Sequence, residues 1–420
     1  MNNLLLWIWL SLSCSPDTPT FSKLIAALGT PEEIYSADEK KIRSIIGSRV
    51  SDYSKVINKD LTNARSVYDF CTSRGVGILT YSDEKFPQSL RAIETPPVLL
   101  YYRGHVPDFN SGFRCAIVGT RRLSDYGRKN AFTLGYDMAS AGATVVSGMA
   151  IGIDGVATAG ALAAGGVTIA VMGSGIDVCY PMEHKRLARE IVKRGCVFTE
   201  YPPGTKPEKP NFPKRNRLIS GLAAATVVVE GSERSGALIT ARYAKKQGRT
   251  VYAFPGNVGN VGSQVTNLLI KNGANLCTSA DDIVRDFGDK SMGALNPHKL
   301  PEKMPVNMHS VLRELEIACV TPSDNIFRTP KPKKQELQSK DFEHSVETNV
   351  VEQKSEPDFT SFDKDAIVIY KKIPYGEDCA IDELVDDKYD LRSVSKLLLK
   401  LEMGRFVVML PGDRVKRNNH

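Results

Sequence analysis

Cys115-Ala116-Ile117-Val118-Gly119-Thr120-Arg121-Arg122 is the stretch that decides the fold. Four apolar residues run without alternation, as in a strand buried on both faces, and a glycine with two cations then opens a loop. The same design recurs downstream. Strand-like apolar runs stand at 115–118, 144–147, 168–172, 196–199, 226–230 and 250–254, with helical stretches between them at 127–141, 154–164, 183–193, 236–247 and 265–272. Strict alternation of this kind predicts a parallel sheet covered by helices on both faces. With right-handed crossovers it is a Rossmann-like doubly wound α/β domain. Its ligand crevice belongs at the carboxyl ends of the strands.

The chemistry-bearing loops fall at those ends. Gly119-Thr120-Arg121-Arg122 follows the first strand, Ser147-Gly148-Met149-Ala150-Ile151-Gly152-Ile153-Asp154 the second and Gly173-Ser174-Gly175-Ile176-Asp177 the third. Glu230-Gly231-Ser232-Glu233-Arg234-Ser235-Gly236 follows the fifth and Pro255-Gly256-Asn257 the sixth. Glycines there let backbone N–H groups approach an anion, and helix N-termini add positive potential.

One further segment is unusual. Phe212-Pro213-Lys214-Arg215-Asn216-Arg217-Leu218-Ile219 packs three cations and an amide into four positions after an aromatic residue, with Lys206 and Lys209 just upstream. Guanidinium forks suit phosphate oxygens, and the Phe212 ring offers a stacking face to an unpaired base. A solvated basic loop is the competing reading.

The flanks differ from this core. Residues 1–80 read as a small helical domain, with 81–287 the Rossmann-like domain. The apolar run at 4–12 lacks a preceding Lys or Arg and is too short to span a bilayer, so a packed helix is expected there rather than a signal sequence. Residues 98–102 look like part of a connector. Residues 288–360 are polar, rich in Lys, Glu, Ser and Pro, and read as a disordered linker in which 311–320 is at most a short helix. Over 361–420 three helices and a β-ribbon suggest a C-terminal winged-helix module.

The net charge of +7 permits an anionic partner without requiring one. Eight scattered cysteines without a C-x-x-C pair indicate a reducing cytoplasm, and the six histidines show no metal spacing. Neither a Walker A loop nor a nucleophile elbow is present, and the third position of the lone Gly173-x-Gly175 fingerprint is Val178. Asp154 and Asp177 read as general bases or, more simply, as helix caps; Glu230 reads as a catalytic carboxylate or as the cap of the next loop. No catalytic residue, metal or cofactor is assigned.

The ordered series formed by Ile117–Arg121, Ser147–Ala150, Gly152–Asp154, Gly175–Asp177, Tyr180-Pro181, Glu200–Thr205, Phe212–Arg217, Ser235–Ala241, Pro255-Gly256 and Leu269-Ile270 resembles the DNA-processing protein A family, also called Smf. The resemblance spans roughly residues 86–285. It implies a cytoplasmic, non-enzymatic protein that binds single-stranded DNA, forms a homodimer and helps load RecA recombinase in natural transformation. On this reading the DNA-binding positions are Gly119, Arg121, Ser147, Gly148, Lys209, Phe212, Lys214, Arg215, Asn216, Arg217, Ser235 and Gly236. The chain departs from the family pattern at Ile151, Thr158, His184 and Val265. Residues 1–80 lack the glycines of a helix-hairpin-helix. Two alternatives stay open: a nucleotide-processing hydrolase using Glu230, and a RecA-binding adaptor with weak DNA affinity.

Overall fold

Successive side chains of the central strands enter two different apolar cores, one on each face of the sheet. In β3 (Arg114–Val118), Cys115 and Ile117 join one core while Ala116 and Val118 join the other. In β4 (Thr144–Ser147), Val145 and Val146 divide in the same way. This two-sided burial is why the strands read as unbroken apolar runs. The computed structural model describes residues 3–109, 111–233, 235–288, 294–302, 304–319, 364–374, 378–386, 389–403, 406–410 and 414–417. The chain divides into two compact units, residues 1–331 and 332–420.

The first unit begins with six helices: α1 (Asn3–Ser13), α2 (Thr20–Leu28), α3 (Pro31–Ser36), α4 (Glu39–Ile46), α5 (Tyr53–Ile57) and α6 (Thr62–Arg74). The apolar run at 4–12 forms α1, and Leu5 through Leu10 are all buried, as expected of a packed helix. Then come β1 (Gly77–Thr80), α7 (Gln88–Arg91), β2 (Leu99–Gly104), β3, α8 (Asp125–Ser140), β4, α9 (Ile153–Ala163), β5 (Thr168–Val171), α10 (Lys185–Arg194) and β6 (Cys196–Thr199). The series continues with α11 (Asn211–Leu222), β7 (Ala225–Val228), α12 (Gly236–Lys246), β8 (Thr250–Ala253), α13 (Gln264–Lys271), β9 (Asn275–Leu276), α14 (Ala280–Phe287) and α15 (Met308–Glu314).

The nine strands lie in the order β1-β2-β6-β5-β4-β3-β7-β8-β9. From β6 to β9 every pairing is parallel, while β1 and β2 are antiparallel additions at the β6 edge. From β3 the chain steps outward through β4, β5 and β6, then returns to place β7 on the other side of β3, with Cys115 opposite Ala225 and Val118 opposite Val228. That reversal is a topological switch point, where open α/β sheets form their crevice. It lies between the loop after β3 and the loop after β7.

Three sequence expectations are corrected here. The segments at 77–80 and 98–102, read as the end of a helical domain and as a connector, pair with each other and extend the main sheet as β1 and β2. The Tyr102 ring covers Gly77, where a Cβ would meet it at 2.1 Å, so only glycine accepts this pairing. The basic stretch at 212–217, for which a solvated loop was the competing reading, makes up half of α11, whose Leu218, Ile219 and Leu222 enter the core. Pro213 stands in the first turn, where its missing N–H costs nothing.

The third correction concerns the linker expected over 288–360. Leu295 is buried, α15 packs against α9, and Leu312 within that helix and Leu315 just after it are buried as well. The linker expectation beyond residue 319 falls outside the described residues until residue 364.

The second unit contains α16 (Lys364–Lys372), β10 (Asp378–Ala380), a 3-10 turn at Ile381–Leu384, α17 (Leu391–Met403), β11 (Val407–Leu410) and β12 (Arg414–Arg417). Its sheet is antiparallel in the order β10-β12-β11, so the expected ribbon gains a third strand. Ile369, Leu384, Val394, Leu398 and Val415 share its core. Among the described residues, no helix is long and apolar enough to cross a membrane.

Candidate functional site

Arg121 leaves the carboxyl end of β3, and its guanidinium lies over the Phe212 ring, 5.4 Å from the centroid. Phe212, in the first turn of α11, is half-buried. One edge of its ring rests on Gly173, where a Cβ would come within 2.9 Å of the ring. The Tyr180 ring lies 5.3 Å from that of Phe212 at an interplanar angle of 39° and is 39% exposed. Arg121 is exposed, so the site presents a cation and two aromatic rings to solvent together. Stacking of this kind orients a guanidinium while leaving its N–H groups available.

Behind this rim lies a buried layer. Arg215, 3% exposed, donates from Nη1 to the Gly148 carbonyl at 3.0 Å. The Asp154 carboxylate accepts from the Gly148 amide at 3.1 Å, so Gly148 is held by both of its backbone polar groups. A Cβ on Gly148 would lie 2.6 Å from Asp154 Oδ2 and 2.7 Å from Arg215 Nη2. Burial pushes the Asp154 carboxyl up, against the pull of Arg215 and of the Ala150 and Gly148 amides. Burial likewise lowers Arg215 to about 10, opposed by Asp154 and assisted by Arg121, and it stays a cation at neutral pH. The Nε of Arg215 is buried without a hydrogen-bond partner.

Arg217 behaves differently from the other cations of its stretch. It is 1% exposed, and Nη1 and Nη2 donate to Glu200 Oε1 and Oε2 at 2.6 Å each. Its Nε donates to the Thr95 carbonyl at 3.0 Å. Every nitrogen of the fork is thus engaged, and the residue ties α11 to the end of β6 and to the segment before β2. Arg217, expected from the sequence among the DNA-binding positions, is instead buried at 1% exposure in a bidentate pair, which makes it a brace of the site and not part of its solvent-facing rim. Asn216 donates to the Gly236 carbonyl at 3.2 Å and joins α11 to the start of α12. Ser147 donates to the Ile117 carbonyl at 2.7 Å and is buried.

The twelve sequence-derived positions therefore fall into two layers. Arg121, Lys209, Phe212, Lys214, Ser235, Gly236 and Gly119 are exposed or half-buried, whereas Ser147, Gly148, Arg215, Asn216 and Arg217 form the buried support. Gly119 is in tight contact with Ile153 and the Glu230 carbonyl, which a Cβ would meet at 2.5 and 2.9 Å. Reasoning from sequence gave no role in this constellation to Tyr180 or Glu200, and read Asp154 as a general base or a helix cap, not as the partner of Gly148 and Arg215. Tyr180 and Glu200 stood within motif stretches, but nothing local marks one as a ring partner and the other as a counterion.

Glu230 sits at the switch point, 3% exposed. Both its oxygens are taken by Ser124, from the amide at 3.0 Å and the hydroxyl at 2.7 Å, while Ser124 in turn caps α8 through the Gly127 amide at 3.1 Å. Asp177 accepts from the Gly204 amide at 2.8 Å. Of the four departures, Val265 is buried core, and Thr158 donates to the Asp154 carbonyl at 2.8 Å within α9. Ile151 is half-buried in the glycine loop. His184 is fully buried, with Nδ1 at 3.0 Å from the Met149 carbonyl and Nε2 accepting from the Ala318 amide at 3.1 Å. Among the described residues no cluster of His, Cys, Asp and Glu could hold a metal, and all eight cysteines are free thiols.

A mostly parallel doubly wound sheet, with glycine loops at its strand ends and a cation stacked beside two aromatic rings, defines a Rossmann-like α/β protein. The family model described as DNA recombination-mediator protein A matches residues 77–288, and the chain belongs to that family. It is 37% identical over 224 residues to the DNA processing protein DprA of Bacillus subtilis, covering 53% of this chain and 75% of the relative. It is 41% identical over 211 residues to Protein Smf of Escherichia coli, covering 50% of this chain and 56% of that protein. The X-ray structure of DNA processing protein A from Streptococcus pneumoniae superposes with a TM-score of 0.60 at 31% identity, covering 68% of this chain and 98% of that one.

Proposed function

We propose that this protein binds single-stranded DNA across the Arg121–Phe212–Tyr180 rim and acts, without turnover of its own, as a cytoplasmic mediator that hands the strand to RecA recombinase. The observation that carries the reading is the Arg121 guanidinium stacked over a half-buried Phe212 ring at 5.4 Å. A cation for phosphate beside a ring for an unpaired base is what sequence-tolerant single-strand binding requires. Lys209 and Lys214 extend the positive rim, while Arg215, Arg217, Asn216, Ser147 and Gly148 hold it in shape from beneath.

A hydrolase reading would need a free carboxylate at the switch point. Glu230, with both oxygens on Ser124, supports the cap role instead. A homodimer is the reading that fits the open edge strand β9 together with Leu268 and Leu276, which are 40% and 51% exposed. Two modest sites on one strand then reinforce each other by avidity. The second unit, with its helices beside an antiparallel three-stranded sheet, is read as a winged-helix module.

The test compares oligo-dT with blunt duplex over a salt series. Single strands are expected to bind more tightly, with a log–log salt slope of roughly −0.7 per phosphate neutralised. Arg121→Ala should flatten that slope by a little under one such contact, while Phe212→Ala weakens binding by ~1–3 kcal/mol with the slope nearly intact. Equal affinity for duplex would refute the reading. Stimulation of RecA filament formation by a protein without oligonucleotide affinity would favour a simple adaptor.

A further inference from the structure

The segment after α15 returns to the glycine loop beside Arg121. Ala318 makes two main-chain bonds there: its amide donates to His184 Nε2 at 3.1 Å, and its carbonyl accepts from the Gly152 amide at 3.2 Å. Gly152 is the residue that opens α9, and it lies hard against Arg121: a Cβ on Gly152 would be 2.8 Å from the Arg121 Cα. Glu316 lies 3.7 Å from Arg186. The strap thus engages a helix N-terminal amide beside the Arg121 backbone and, through Glu316, the cation of Arg186, groups that attract an anion.

The grip is chemically specific and slight. Because Ala318 N–H must be accepted by His184 Nε2, the proton of the imidazole is on Nδ1, directed to the Met149 carbonyl. His184 is fully buried and its burial favours the neutral ring, which keeps this acceptor available. Beyond these two main-chain bonds the strap is held by Leu315, which is buried at its start, by an exposed ion pair and by the half-buried Ile317 and Cys319, so that past Leu315 it adds no fully buried side chain. A segment with few buried contacts opens locally at much lower free energy than the core. The stretch also lies outside the part of the chain matched by the family model, residues 77–288.

We infer that residues 315–319 are an autoinhibitory strap whose Ala318 carbonyl occupies the Gly152 amide and competes with the phosphate backbone of a single strand for the ground beside Arg121. This rests on the reading of the Arg121 rim as the single-strand site. Strand binding and strap docking then oppose each other, and by linkage each weakens the other by the same factor.

The experiment uses the full-length protein, oligo-dT, and two strap variants that leave the rim intact. Ala318→Pro removes the amide donated to His184, and Glu316→Lys reverses the charge facing Arg186. Each is expected to tighten oligo-dT binding, Ala318→Pro by about fivefold or more, the lower end of usual coupling factors. Hydrogen exchange of the wild type should show faster exchange over 315–319 when oligo-dT is bound. Wild-type binding that neither variant tightens, or slower exchange of the strap in the bound state, would overturn the strap and leave the single-strand reading standing. If the wild type and both variants all fail to bind oligo-dT, the single-strand reading itself falls, and the competition with it.

Discussion

Replacing Arg217 with alanine separates support from contact more cleanly than any other substitution in the site. The fork makes two 2.6 Å bonds to Glu200 and one of 3.0 Å to Thr95, and Glu200 is itself 8% exposed. Arg217→Ala would leave a buried carboxylate without a counterion, a loss of ~3–5 kcal/mol. For domains of 150–250 residues each kcal/mol moves Tm by roughly 2–4 °C, so a fall of roughly 6–20 °C is expected, its lower half the more relevant to a larger unit. Removing both charges, as in Arg217→Met with Glu200→Leu, should recover most of that loss, since apolar replacements of similar volume are often neutral.

Differential scanning calorimetry of the wild type, Arg217→Met, Glu200→Leu and the double variant gives the coupling directly. Oligo-dT binding by the double variant is expected to retain the wild-type salt slope, because Arg217 releases no counterion. An Arg217→Ala protein whose Tm stays within about 1 °C of the wild type, but whose salt slope drops by one contact, would refute this reasoning. Arg217 would then be reaching phosphate.

Further outcomes follow from the same layer. Gly148→Ala places a methyl within 2.6–2.7 Å of Asp154 and Arg215, both buried, and should cost ~1–3 kcal/mol by chemical denaturation while also weakening oligo-dT binding. The folded state lowers the His184 pKa by burial, so below its unfolded value of about 6.5 the unfolded chain binds more protons and stability falls as pH drops. In His184→Asn that contribution disappears. The difference between the two denaturation-versus-pH curves isolates it, because Asp137, pushed up to about 6 by burial and opposite in sign, cancels. Glu230→Gln should lower thermal stability through the Ser124 cap yet leave oligo-dT affinity and the RecA effect unchanged; loss of a catalytic turnover in that variant would instead restore the hydrolase reading.

The doubly wound core was legible because its signals are local. A strand buried on both faces must be apolar at every position, and a loop that lets the backbone approach an anion must carry glycine; both requirements leave their mark within four to eight residues. The strands at 115–118, 144–147 and 196–199 and the loops that follow them could therefore be placed from the chain alone. The edge strands β1 and β2 were harder, since an antiparallel edge needs no continuous apolar run and takes its identity from the neighbour it pairs with.

The roles within the basic stretch could not be read in this way. Lys214, Arg215 and Arg217 are near-identical in sequence context, yet one faces outward, one braces Gly148 and one closes on Glu200. What separates them is the helical phase of α11 together with partners that come from 17, 67 and 122 residues away. The docking of Ala318 on His184 spans 134 residues and leaves no local trace at all. Local composition marked cationic, aromatic and glycine-rich loops at the ends of the strands. Only long-range packing decided which cations reach solvent, because whether a guanidinium is a ligand or a brace depends on whether the fold brings a carboxylate to it.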